Sequence, residues 1–191
     1  MLIVNSYSME VYNNMKAKDL TFIAIFTALI AVCSWISIPT TVPFTLQTLG
    51  IFLAVGLLGG KRGSIAVLVY ILLGAIGLPV FAGFTSGIGQ IIGSIGGYIL
   101  GFLALALVMW AITHFFGDSM VVLAISMITG LIVCYAFGTA WYMVVYMKST
   151  GSISLSTVLS WCVIPFIVPD LIKISAALLL IKRLKPHVQL D

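Results

Sequence analysis

Six apolar runs, at about residues 20–38, 44–59, 63–78, 88–113, 120–147 and 157–182, divide the chain. Proline, glycine and polar residues separate them at Ile38-Pro39-Thr40-Thr41-Val42-Pro43, at Gly59-Gly60-Lys61-Arg62-Gly63, from Gly77-Leu78-Pro79 onward, at His114 to Ser119 and at Lys148 to Ser156. These residues are the usual punctuation between helices. Crossing a bilayer takes about 20 apolar residues, so the second and third runs, at about 16 each, are short. Such segments tilt little, thin the bilayer or line a cavity instead of facing lipid. The pattern predicts an all-α, polytopic membrane protein with six transmembrane helices. A single domain covers 16–185, after a polar extension over 1–15 and before a short tail over 186–191. The first 19 residues read as polar and irregular.

Composition agrees with that class. Hydrophobic residues make up 62% of the chain and charged ones 7%, against roughly half and a quarter in soluble domains. The net charge of +4 needs no nucleic acid to explain it. With six alternating spans, Lys16, Lys18, Lys61, Arg62, Lys182, Arg183 and Lys185 fall on one side and only Lys148 on the other. The positive-inside rule then places both termini in the cytoplasm. The uncharged loops around 39–46 and 78–90 face outward. Lys16 and Lys18 before an apolar run imitate a signal peptide, but no small-x-small site follows, so a retained first span is expected. Cys33, Cys134 and Cys162 are odd in number and lie within spans, which excludes a disulfide framework and gives no metal spacing.

Two charges stand out. Asp170 and Lys173 are the only charged residues between Thr157 and Ile181, and a spacing of three puts them on one helix face. At membrane depth such groups pair, face an interior or mark a ligand site; an internal salt bridge that only locks packing is the other reading. Pro165 and Pro169 interrupt this span. A helix beginning afresh at Pro169 would put Asp170 in its first turn, where the dipole favours a carboxylate. About 13 residues from there to Lys182 rise roughly 20 Å, which places the pair in the outer half of the membrane beside a cavity open to the outside.

Two small-residue faces add packing information. Ala17, Thr21, Ala24, Ala28 and Ala31 form a seam along the first span, which would serve internal packing or a partner subunit. Gly89, Gly93, Gly97 and Gly101, with Gly96 beside them, predict one smooth face on the fourth span. Close packing or a pocket wall would use it.

No catalytic constellation emerges, so no enzyme is expected, nor any cofactor or metal. His114 and His187 lack metal partners, and Gly59-Gly60-Lys61-Arg62 is no phosphate-binding loop. A cavity offering Asp170, Lys173, the Gln47 amide, the Tyr98 phenol and aromatic walls suits a small amphiphilic organic acid. Lys173 would meet its negative group and Asp170 its N–H donors.

Four ordered motifs carry a resemblance. They are Pro43-Phe44-Thr45-Leu46-Gln47-Thr48-Leu49, Gly74-Ala75-Ile76-Gly77-Leu78-Pro79-Val80-Phe81-Ala82-Gly83, Gly96-Gly97-Tyr98-Ile99-Leu100-Gly101-Phe102 and Pro169-Asp170-Leu171-Ile172-Lys173. Together, from about Lys16 to Leu184, they resemble the BioY family, the biotin-specific substrate-binding subunits (S components) of energy-coupling-factor transporters. The resemblance implies a six-helix protein of the prokaryotic plasma membrane that binds biotin from outside. It implies partners too: a membrane-embedded coupling protein and two ATP-binding subunits. Asp170 and Lys173 match the family's ligand-contacting pair. Gln47, Tyr98, Phe81 and Gly83 are motif positions taken as further candidates, and Ala24 and Ala28 become candidates for the coupling contact. Gly93-Ser94-Ile95-Gly96-Gly97 departs from the family's frequent Gly-Pro-Thr-Gly-Gly. The other readings to be weighed are a binding subunit for another small vitamin and a self-sufficient small-solute transporter.

Overall fold

The computed structural model describes residues 2–40 and 42–188, with side chains from residue 17 onward. Side chains of the 1–15 extension and of Lys16, and the end of the tail from 189, lie outside the described residues. The described chain is a bundle of helices: α1 (Leu2–Trp35), α2 (Gln47–Leu58), α3 (Gly60–Ala75), α4 (Ile88–Ile92), α5 (Gly96–Phe116), α6 (Met120–Ser149), α7 (Leu155–Cys162) and α8 (Ile164–Leu184). A two-residue hairpin, β1 (Ser37–Ile38) with β2 (Phe44–Thr45), is the small exception to an all-α fold. Helices cover the six apolar runs. Four stretches, Ala17–Trp35, Gly96–Phe116, Met120–Ser149 and Leu155–His187, are long and apolar enough to cross a membrane.

The short second run is the centre of the bundle. α2 has 12 residues, a rise of about 18 Å, and packs against α1, α3, α5 and α8. All but one of its residues are buried. Glycine permits that enclosure: a Cβ on Gly50 would stand 3.2 Å from the Ile30 Cα, and one on Gly56 only 2.3 Å from Ile181. Of the three options for so short a run, the one in which it faces inward instead of toward lipid is adopted.

Three expectations change. The segment before residue 20 is not irregular, because α1 is continuous from Leu2. The glycine face of the fourth run is not one helix face: α4 ends at Ile92, Gly93 is extended, and α5 starts at Gly96. Gly97 and Gly101 then meet α6, where added Cβ atoms would lie 2.2 Å from Trp141 and 2.9 Å from Cys134. Gly89 has open space instead. The last run does break, but at Val163 and not at Pro169. Pro165 occupies the first turn of α8, where its missing N–H costs nothing, and Pro169 lies inside the helix. Asp170 is therefore in the second turn of α8, with its orientation fixed by a helix on both sides.

The two ends differ. At one, Arg62 Nε lies 2.9 Å from Asp19, Lys185 pairs with Asp118, and Arg62, Asp118 and Lys185 surround one hollow. The Lys185 ammonium holds the Asp118 carboxyl below the usual carboxylate range. That contribution is present above the unfolded pKa and fades as pH falls through the lowered one; Asp118 is mostly exposed, so it is small. At the other end, Trp35 Nε1 donates to the Pro79 carbonyl at 2.8 Å, Ser34 donates to that of Val80, and Phe84 stacks on Trp35. The 78–85 loop is thereby held on the last turn of α1.

The two glycine environments give a direct comparison. Gly97→Ala should destabilise the protein by about 1–3 kcal/mol through overpacking against α6. Gly89→Ala should be neutral or stabilising by up to about 1 kcal/mol. Thermal unfolding of both variants in detergent measures the difference; equal effects would contradict the break in the fourth run.

Candidate functional site

At the hairpin end, the first turns of α2 and α5 meet the middle of α6 and the early turns of α8. They line two adjoining lobes. Val42, Pro43, Thr45, Tyr98 and Phe102 line both, so the lobes share one wall.

Asp170 and Lys173 form the polar end of the second lobe. Lys173 Nζ lies 2.8 Å from Asp170 Oδ1, and the two residues are 2% and 6% exposed. The Thr48 hydroxyl also donates to Oδ1, at 2.9 Å, and the Tyr135 hydroxyl donates to Oδ2. Lys173 Nζ stands 5.0 Å from the centre of the Phe44 ring, a favourable position for a cation. Phe44 in turn stacks on Phe166 at 5.1 Å. The charges compensate each other inside the protein, so this end is polar but carries no net charge. An ionised ligand group gains less from such a pair than an uncharged one that presents both a donor and an acceptor.

The first lobe is built differently. Gln47, 4% exposed, donates from Nε2 to the Tyr70 hydroxyl at 2.7 Å. The Phe81 ring meets Tyr70 edge-on at 5.6 Å, and a Gly74 Cβ would lie 2.1 Å from that ring. Only glycine at 74 lets Phe81 reach the cavity. Tyr98 shares a 3.2 Å hydrogen bond with Thr139. Among the sequence candidates, Gln47, Tyr98 and Phe81 line the first lobe, and Asp170, Lys173 and Tyr98 the second. Gly83 does not line either: it is exposed in the 3₁₀ turn Ala82–Phe84, with φ 66°. Its place is conformational, since that φ favours glycine.

Sequence reasoning missed Thr48, Phe44, Tyr70 and Tyr135. Thr48 and Phe44 lie within the first quoted motif, and Thr48 follows Gln47 directly. Tyr135 had no local signal beyond being a phenol in the middle of an apolar span.

The first-span seam divides. Ala17, Thr21, Ala24 and Ala28 are exposed, whereas Ala31 is buried in the core. Cys33, Cys134 and Cys162 are free and buried, and the described residues hold no cluster of metal-ligating side chains.

Apolar helices around an enclosed polar and aromatic cavity define a membrane-embedded solute-binding protein. Comparison with known proteins narrows this class. The BioY family profile matches residues 8–190, and the chain belongs to the BioY family. It is 40% identical over 169 residues to the biotin transporter BioY of Thermotoga maritima, covering 88% of this chain and 96% of that protein. The probable biotin transporter BioY of Pyrococcus horikoshii is 37% identical, with 90% and 98% covered. The crystal structure of the S-component for biotin from an ECF-type ABC transporter superposes with a TM-score of 0.80 at 30% identity, over 91% of this chain and 94% of that one. The fold is therefore that of an S component.

The buried pair should behave as a unit. Lys173→Met alone should destabilise the unliganded protein by about 3–5 kcal/mol, because an unpaired carboxylate stays buried. Adding Asp170→Asn should restore part of that loss. Denaturant unfolding in detergent reads both; additive effects would show that the charges do not compensate each other.

Proposed function

We propose that the chain is the biotin-binding membrane subunit of an energy-coupling-factor uptake transporter. The observation that carries this reading is the buried, charge-compensated Asp170–Lys173 pair at the end of an aromatic-walled cavity, in a chain of the BioY family. Biotin's ureido group offers N–H donors beside a carbonyl acceptor. Asp170 takes an N–H and Lys173 donates to the C=O, a match that needs no net charge. This reverses the simpler idea of Lys173 as the partner of a ligand carboxylate. Tyr98 and Phe81 wall the apolar part of the ligand, and Gln47 adds a polar contact in the first lobe.

Topology follows the same reading. Six spans, with both termini cytoplasmic, put the basic end of the bundle inside and the cavity toward the outside of the cell membrane. Uptake is energised by a separate coupling protein and two ATP-binding subunits. The exposed Ala24 and Ala28 form a small-residue face on which a partner helix packs closely.

Purified protein in detergent should bind biotin saturably at about one per chain, and folded protein without such binding would sink the proposal. Asp170→Asn and Lys173→Ala should each weaken binding by about ten- to a hundredfold, the value of a hydrogen bond to a charged group. Isothermal titration against thermally checked variants measures this.

The coupling face has its own test. Ala24→Trp or Ala28→Trp should leave biotin binding intact and abolish uptake in cells that supply the partner subunits. Loss of binding instead would make the seam an internal packing surface.

A further inference from the structure

The Asp170 carboxylate has four lone-pair directions, and this structure fills three of them. Lys173 and Thr48 both donate to Oδ1, at 2.8 and 2.9 Å, and Tyr135 donates to Oδ2. Among the described residues, Tyr135 is the donor that reaches Oδ2. The three donors come from three different helices, α8, α2 and α6, so they fix the plane of the carboxylate as well as its charge.

We propose that Tyr135 and Thr48 are positioning residues for ligand recognition: they hold Asp170 so that its Oδ2 is aimed at one ligand N–H. The assignment rests on the biotin-binding reading and deepens it.

Without the Tyr135 hydroxyl, Oδ2 has two open directions and the carboxylate can turn about its remaining contacts to Oδ1. A ligand N–H then meets an acceptor of less defined direction. A preorganised acceptor avoids the cost of ordering it on binding. Charge-assisted bonds of this kind are the strong ones, so Tyr135 and Thr48 act on affinity through Asp170.

Tyr135 has a second position in the fold that supports the role. Tyr135 lines both the polar lobe and an apolar groove between α6 and α7, beside Ala136, Leu159 and Val163. It is the residue those two hollows have in common. The ring closes the lobe on that side while its hydroxyl holds Asp170, so a phenylalanine at 135 preserves the partition and removes only the donor.

The experiment uses the full chain in detergent with two probes, biotin and biotin methylated on its ureido nitrogens. Wild-type protein should bind the methylated compound far more weakly than biotin. Tyr135→Phe should weaken biotin about ten- to a hundredfold and change the methylated compound little, so that the preference between the two collapses. Thr48→Val should do the same to a smaller degree, since Oδ1 keeps Lys173. Unchanged biotin affinity in both variants overturns the proposal. So does an equal loss for both compounds, which is what a merely structural role produces. Wild-type protein that binds the methylated compound as tightly as biotin also overturns it, because no ligand N–H then meets Asp170. Wild-type protein that binds neither compound is a different failure, that of the biotin reading itself.

Discussion

The ion pair between Asp170 and Lys173 is the constraint around which the cavity end is organised. Two charges at 6% exposure or less carry a desolvation cost of several kcal/mol per ion. Each must find partners that stay in place. Lys173 finds Asp170 and the face of Phe44; Asp170 finds Lys173, Thr48 and Tyr135. Those partners come from β2, α2 and α6, so satisfying the pair ties four parts of the chain together at one point. The second lobe of the cavity lies directly beside these paired groups.

Depth in the bundle is what buries the network, and α2 supplies it. A helix of 12 residues is too short to span a bilayer unaided, yet it occupies the centre because its neighbours do the spanning. Gly50 and Gly56 let α1 and α8 approach its backbone, and the C-terminal half of α2 contributes Ala54, Val55 and Leu58 to the core. Its first turn, freed from reaching the membrane surface, presents Gln47 and Thr48 to the two lobes. Shortness, which reads as a defect in a hydropathy pattern, is here what sets polar side chains at depth.

Much of this was legible in the chain. Helical runs, punctuation and the charged pair follow from local rules, because hydropathy and proline or glycine placement act locally. What was lost is non-local. The glycines at 89, 93, 97 and 101 share a spacing but not a helix, since α4 ends at Ile92 and α5 starts at Gly96, where Gly97 and Gly101 pack on α6. The α8 boundary shifted because Pro165 suits a first turn and Pro169 is tolerated inside the bundle. Tyr135 and Asp170 are 35 residues apart, and no pattern within either span announces their contact. Gly83 shows the reverse case: a motif position whose place in this structure is an exposed turn with a positive φ, apart from the two lobes.

The first helix joins two surfaces that sequence alone left separate. Along Ala17 to Ala28 its small side chains are exposed, while Thr27, on another face, donates to the Ala66 carbonyl of α3 at 3.1 Å. One turn further on, Ala31 is in the core, and beyond it Ser34 and Trp35 hold the carbonyls of Val80 and Pro79. The loop so held carries Phe81 into the first lobe. The exposed small side chains lie on the same helix as the residues that hold this loop. The contacts that hold the cavity loop and the exposed small-residue face are thus built on one continuous element, with α3 packed against it.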